Sequence, residues 1–401
     1  MAAADLAGLV ARYAQRFHAV TGSRHHVASP LGAWLLLALC APAASGAERS
    51  ELVHVLGCEP EEATAIAAGL LETPHPLVAA AAAVWNAAGT SDEQWLSGLP
   101  AIVERGPIPS QDEADRWASE HTLGLIEKFP LKITDEIYLL LATALATKVS
   151  WDRPFELAPG SALGRASPWG RQLEHVLASP LAHPAFVART AQAGDVAVHA
   201  GWARDGLLVV SVIAAAEVPA GEVLAAGHGL ATDLALGRPV PKLSLFDLPL
   251  GDSPLWSVRE EMSPAGAGER CQAFLPAWEA HSIHDLANPR LGFAAAAAAL
   301  GKGDPWRAKQ AAMARYTRVG FEAAAVTAMG IALSAPLPGL RRTAELRFSH
   351  PYAVIAVAAD DSGRRGGTGY AWSGPWNGVP VFSAWVCEPS EAGNSDREAE
   401  L

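Results

Sequence analysis

Hydrophobic positions change their rhythm along this chain. Over the first 75 residues they recur every three or four positions. That spacing predicts a helix from Ala2 to Val20, and Ser29-Pro30 caps and starts a second one reaching about Cys40. A third helix is expected from Glu48 to Leu56, stopped by Gly57, and a fourth from Pro60 to Leu71. Pro76 to Trp85 reads as a strand, and Gln111 to Phe129 as a charged amphipathic helix. Tyr138 to Ser150 is a long apolar run that ends at Trp151.

From about residue 160 the pattern becomes β-rich. Leu207 to Ile213 has the continuous apolar run of a buried strand, and Pro241 to Leu250 alternates at Leu243, Leu245 and Leu248. Further strands are expected at Ala312 to Arg318, Ala344 to Phe348, Tyr352 to Ala358 and Val379 to Val386. Two stretches read as long loops: Ala335 to Arg342, with two prolines, and the glycine-rich Asp360 to Gly378. No repeat or linker divides the chain. We therefore expect one α+β domain over residues 1–390, followed by an acidic tail at 391–401.

Composition narrows the function. Half of the 401 residues are apolar, enough for a large core, and the formal charge of −12 offers nothing to a phosphate backbone. Nucleic acid is thus excluded as a general partner. The apolar window from Leu31 to Ala47 is broken by Pro42 and short for a membrane span. The N-terminus lacks a basic segment ahead of an apolar one, so a cytoplasmic protein without a membrane partner is expected. Cys40, Cys58, Cys271 and Cys387 are too far apart for a Cys-x-x-Cys pair, which suits a reducing compartment.

Catalytic signals are missing. His25-His26 and the His281, His284 pair fall outside a His-Glu-x-x-His frame, so no metal or cofactor is expected. Neither a Gly-x-Ser-x-Gly elbow nor a Ser-x-x-Lys form occurs. Gly366-Gly367-Thr368-Gly369 lacks the Lys-Ser/Thr ending of a phosphate loop. These features point away from an enzyme.

One segment needs another explanation. From Gly320 the chain reads Gly-Phe-Glu-Ala-Ala-Ala-Val-Thr-Ala, with Phe321, Ala323, Ala325, Thr327, Met329 and Ile331 on one face at period two. An exposed loop does not require that alternation, whereas a segment that later becomes a buried strand does.

Here the sequence resembles a serpin. Ala28-Ser29-Pro30-Leu31 resembles that family's Phe-Ser-Pro start of a buried helix. Ala114-Asp115-Arg116-Trp117, with Thr122 and Gly124, resembles the helix that covers the central sheet. Lys148-Val149-Ser150-Trp151-Asp152-Arg153-Pro154-Phe155 resembles the motif whose Trp sits at the top of that sheet. Gly320, Phe321, Glu322, Ala323, Ala324, Ala325, Val326 and Thr327 resemble the hinge of the reactive loop, and Phe348-Ser349-His350-Pro351-Tyr352 the motif that follows it. The five lie in register over nearly the whole chain.

The resemblance implies a serpin fold with three β-sheets, eight or nine helices and an exposed reactive loop. It implies a monomeric, bacterial-type suicide-substrate inhibitor of a serine protease. A protease would cleave the loop, which then inserts into a five-stranded sheet and drags the protease with it. Counting from the hinge puts the cut after Ser334, before Ala335 and beside Leu333. Counting back from Phe348 puts it near Arg341 and Arg342. Trp151, Ser29 and Gln310 mark the region where the sheet would open. Phe321 stands where the family has Thr, Gln310 where it has His, and Thr143 where it has Asn. These changes leave a second expectation: a binding or structural protein of the same fold, cut as a substrate without trapping.

Overall fold

The computed structural model describes residues 6–73, 75–87, 93–137, 139–147, 150–203, 206–264, 266–300, 306–320, 338–359 and 374–393. The N-terminal helices follow the hydrophobic rhythm. α1 (Leu6–Thr21) buries Leu9, Val10, Tyr13 and Phe17 on one stripe. β1 (His26–Ala28) leads into α2 (Pro30–Cys40), where the Ser29 hydroxyl accepts the Gly32 N–H at 3.2 Å. α2 is apolar all round because it crosses the middle of the core. α3 (Gly46–Leu56) stops at Gly57, whose φ of 80° only glycine adopts without strain. α4 (Pro60–Glu72) places its proline in the first turn.

A three-stranded sheet follows. β2 (Ala79–Asn86) pairs antiparallel with β4 (Leu139–Ala146) and parallel with β3 (Glu104–Gly106). Between them run α5 (Glu93–Gly98) and α6 (Gln111–His121). The third sheet begins with β5 (Glu156–Pro159), α7 (Pro168–Gln172) and β6 (His175–Ala178). A six-stranded antiparallel sheet holds β7 (Ala185–Thr190), β8 (Gly194–Ala203) and β9 (Leu207–Ile213), and later β16 (Tyr352–Ala358) and β17 (Pro380–Val386), with β1 at its edge. α8 (Ala220–Ala235) packs across it, so β9 is buried on both faces, as its sequence requires.

The third sheet has the order β10 (Gly251–Asp252), β11 (Trp256–Ser263), β15 (Gly339–Arg347), β12 (Gly268–Leu275), β6, β5. A separate pair, β13 (Trp278–Asp285) and β14 (Lys309–Tyr316), flanks α9 (Phe293–Ala299) in sequence. The described residues thus form nine α-helices and two six-stranded sheets, plus five strands split three and two.

Three expectations change. α6 ends at His121 and not near Phe129, because Leu123 and Gly124 both take positive φ, at 56° and 78°. Pro241 to Leu250 forms a 3-10 turn at Leu245–Asp247 and irregular chain, since its prolines deny a ladder its donors. The expected loop from Ala335 to Arg342 yields to β15 at Gly339, immediately after Pro338. At the C-terminal end, the Ser390 N–H reaches the Ala277 carbonyl at 2.7 Å, and the Glu391 carboxylate accepts the N–H groups of Glu174 and His175.

Candidate functional site

The three-strand and two-strand groups face each other across a gap between β4 and β14. Its upper end is closed. Ser150 bridges Gly320, and Trp151 N–H donates to the Val319 carbonyl at 3.3 Å. Phe155 N–H donates to the Arg318 carbonyl at 2.9 Å, and Trp151 Nε1 to the Thr317 carbonyl at 2.9 Å. The Trp151 ring lies 5.5 Å from Phe155 and 5.0 Å from Tyr316. Thr317 Oγ1 accepts the Gly320 N–H and donates to its carbonyl, both at 3.1 Å, fixing the last described residue before 321.

The lower part of the gap is open. Among the described residues the ladders of β4 and β14 run only to β2 and β13, which leaves their facing edges unpaired with each other. A cleft of about 790 Å³ lies there, lined by Leu36, Ile126, Leu141, Leu145, Phe293 and Trp306 among others. Its walls are mainly apolar where α2, α9 and the inner faces of the strands form them, while Lys132, Glu136, Arg307 and Lys309 also line it.

A cover lies over the three-strand side. α6 opens with a capping box, Ser110 and Glu113, and sets the Trp117 ring 5.2 Å from Trp85. Asp115 then ties down the chain beyond the helix. Its carboxylate accepts from Lys128 Nζ at 2.9 Å, Gln111 Nε2 at 3.0 Å and the Phe129 N–H at 2.9 Å. The Lys128 ammonium, followed by these other donors, holds its pKa down at about 2.

The two groups of strands meet at the start of α2. The Ser29 N–H donates to Gln310 Oε1 at 2.9 Å, and Gln310 Nε2 donates to the Ser29 carbonyl at 2.7 Å. Ser29 Oγ donates to the Val381 carbonyl at 2.8 Å. From the other side, Thr143 Oγ1 of β4 donates to the Gly32 carbonyl at 2.9 Å. Gly32 leaves little room: a Cβ there would stand 3.3 Å from Leu145 Cδ1 and 3.5 Å from Gln310 Nε2. One helix turn therefore holds β14 through Gln310 and β4 through Thr143.

The structure brings Ser29 and Gln310 together and places Trp151 beside Gly320 at the upper closure. Phe321, Glu322, Ala323, Ala324, Ala325, Val326, Thr327, Leu333, Ser334 and Ala335 lie outside the described residues. Arg341 and Arg342 lie inside β15, paired with Glu261 and Glu260 of β11 and with Gly268 and Glu269 of β12. Sequence reasoning missed the roles of Thr317 and Gly32. Their only local signals are a Thr three residues ahead of Gly320 and a Gly three residues behind Ser29.

Four histidines gather in the core. His18 Nδ1 lies 3.1 Å from His26 Nε2, and His18 Nε2 lies 2.7 Å from Ser383 Oγ. His284 Nε2 reaches the Val27 carbonyl at 2.7 Å, while the His228 ring sits 6.0 Å from that of His18. Burial pushes all four pKa values down, with His26 and His228 at about 4. Among the described residues no group of three or more His, Cys, Asp and Glu has a metal-holding arrangement. No helix among them is long and apolar enough to cross a membrane.

Solved structures with this arrangement of strands are serpins. The native state of tengpin, a thermophilic serpin, superposes with a TM-score of 0.62 at 13% identity, over 96% of this chain and 93% of its own. Human thyroxine-binding globulin in complex with thyroxine gives 0.64 at 13% identity, covering 96% and 99%. Serpin48 of the insect Tenebrio molitor gives 0.59 at 12% identity, covering 97% and 100%. No family model and no curated protein matches the sequence. The likeness is one of architecture, and the chain has the serpin fold: a mixed α+β arrangement whose strands β4 and β14 stand apart around an open gap.

Proposed function

We propose that this protein is a suicide-substrate inhibitor of serine proteases. The observation that carries the reading is the split of five strands into β3-β2-β4 and β14-β13, with an opening between β4 and β14 whose upper rim holds Gly320. The chain leaves that rim with the alternating segment Phe321 to Ile331. A segment attached at the mouth of an opening, and patterned to bury one face there, is suited to become the missing strand once it is cut. Open edges on both sides offer it two ladders, and the apolar cleft floor offers burial.

The bond we favour for cleavage is Ser334–Ala335, with Leu333 beside it, which suits an elastase- or subtilisin-like enzyme. Arg341 and Arg342 fit less well. A protease binds extended chain through free backbone groups, and in β15 those groups face a neighbouring strand on each side. Incubation with elastase, subtilisin and trypsin, followed by a denaturing gel, tests the reading. A complex that survives denaturation, running at the sum of the two masses, is the expected result. Cleavage of every molecule without complex would overturn trapping.

A second reading rests on Phe321. A bulky ring at the first inserting position slows entry, because overpacking costs about 1–3 kcal/mol. Slow entry lets the protease hydrolyse the acyl link and depart, leaving a cleaved substrate. On that reading the protein binds or supports a partner and traps nothing.

A further inference from the structure

The cleft between β4 and β14 has a chemistry of its own, apart from the strand edges that flank it. On its core side it is lined by Leu36 of α2, Leu141 and Leu145 of β4, Leu300 just after α9 and Trp306 just before β14. All but Leu145 are only half-buried although they pack against the main core, so they turn apolar surface toward the opening. The volume of about 790 Å³ falls within the range of about 300–1,000 Å³ usual for small-ligand pockets.

The polar side chains inside are already engaged. Ser29, Gln310 and Thr143 are held in the junction with α2, and Thr122 Oγ1 donates to the Ala118 carbonyl at 2.6 Å and accepts the Ile126 N–H at 2.9 Å. The interior therefore offers a ligand mostly hydrocarbon.

Charge gathers at one end. β14 rises from Lys309 toward Gly320 at the upper rim, and β4 rises from Leu139 toward Ser150, which bridges Gly320. Arg307 and Lys309 thus stand at the lower mouth. Lys132 belongs to the same end. Leu125, just past the C-terminus of α6, lies with Trp151 and Gly320 at the upper closure, whereas the Ile133 N–H donates to Gln111 at the opposite end of that helix, at 2.9 Å. All three cations are exposed, and none has an ion-pair partner among the described residues. Acids outnumber bases by 42 to 30 in the whole chain, yet around the cleft Lys132, Arg307 and Lys309 face a single acid, Glu136. The mouth reverses the sign of the molecule.

We propose that the cleft binds a long-chain carboxylate, with its hydrocarbon tail between α2, α9 and β4 and its head at the lower mouth among Lys132, Arg307 and Lys309. An apolar interior closed at the top and cationic at the bottom matches a molecule that is apolar along its length and anionic at one end. A bare phosphate finds no partner inside, and a neutral hydrocarbon leaves the cations unused. On the core side the tail displaces water from Leu36, Leu141 and Leu300, which is the source of affinity. The head stays in water, so its attraction to the cations weakens as salt rises. This binding goes beyond protease inhibition and stands without it, because it needs neither cleavage nor insertion.

The test uses the uncut full chain and the fluorescent fatty acid cis-parinarate, displaced in turn by palmitate, laurate and hexadecanol below their aggregation limits. Palmitate is expected to displace it from one site per chain. Laurate, four methylenes shorter, should bind at least about tenfold more weakly. Hexadecanol, with the same tail and no charge, should also bind about tenfold more weakly, and salt should weaken palmitate alone. Ala297→Trp, which fills the cleft from α9, should abolish binding of all three. Lys132→Glu, Arg307→Glu and Lys309→Glu together should weaken palmitate about tenfold or more and leave hexadecanol unchanged. These three positions are exposed, so the combined variant keeps the fold and decides the matter even where Ala297→Trp does not fold.

The proposal is overturned if palmitate fails to displace the probe, or if it binds the folded Ala297→Trp variant as well as wild type. Equal affinity of the charge-reversed variant for palmitate would overturn the assigned head site. Dimer formation without palmitate uptake would give the cleft to a second copy of the chain and equally overturn it. None of these results bears on whether nicked protein traps a protease or gains stability, so the two readings fail separately.

Discussion

Ser29 and Gln310 hold each other by two reciprocal hydrogen bonds, 2.9 and 2.7 Å long, across 281 residues of sequence. An amide side chain here does the work of a backbone ladder pair. Its oxygen accepts from the Ser29 N–H and its nitrogen donates to the Ser29 carbonyl. Because a glutamine amide does not titrate, this junction between α2 and β14 keeps its strength as pH changes. Gln310→Ala strands both Ser29 groups and is expected to cost about 1–3 kcal/mol. Gln310→His makes the junction acid-sensitive, because a protonated ring cannot accept from the Ser29 N–H. Its stability should match wild type more closely above pH 6.5 than below. Denaturant unfolding of both variants at pH 5 and pH 8 checks this, and equal losses at the two pH values for Gln310→His would contradict it.

The wild-type protein has its acid sensitivity elsewhere. His18, His26, His228 and His284 are buried with depressed pKa values. A histidine whose folded pKa lies below its unfolded one gains nothing above the unfolded value and destabilises the fold as pH falls past about 6.5. The loss levels off below the folded value, which is about 4 for His26 and His228. Those two alone should each remove about 2 kcal/mol between pH 7 and pH 5. Urea unfolding across this range should show the decline. His228→Gln, which removes the titrating ring from a site where neither nitrogen has a hydrogen-bond partner among the described residues, should flatten it.

Trp151 is the main packing element of the upper closure. Trp151→Ala removes its rings from Phe155 and Tyr316 and its bond to the Thr317 carbonyl, and should cost about 3–5 kcal/mol. Hydrogen exchange should then rise first at residues 317–320 and 150–155, ahead of the rest of the sheet. Uniform loosening of the whole molecule would contradict a local closure.

Phe321 sets the balance between trapping and turnover in the proposed mechanism. Phe321→Thr removes the oversized entrant and should raise the ratio of protease complex to cleaved product by about tenfold. The ratio is read from a denaturing gel. No change would remove Phe321 as the brake.

Local structure was legible wherever one segment decides it. Ser29-Pro30 followed by an unbroken apolar run could only be a capped and buried helix, and Gly57 could only stop one. Leu207 to Ile213 announced burial on both faces. Alternation at Leu243, Leu245 and Leu248 misled, because two prolines in the same stretch, Pro241 and Pro249, outweigh a period of two. Thr122 and Leu123 look helical in isolation, yet Asp115 turns the chain there by recruiting Lys128 and the Phe129 N–H. The site was legible only through resemblance. Spacing cannot join Ser29 to Gln310, nor enclose β15 within the β11–β12 hairpin, because long-range pairing leaves no local periodicity. The buried histidines illustrate the same limit: His18, His228 and His284 come from three separate elements and gather only in the folded core.

The gap between β4 and β14 is the centre of this account, and the melting temperature before and after a single cut within residues 330–337 tests it most directly. Entry of the cut segment adds two ladders and buries an apolar face, so the nicked protein should melt at least about 10 °C higher than the intact one. A nicked protein that melts at the same temperature, or lower, would mean that nothing enters the gap.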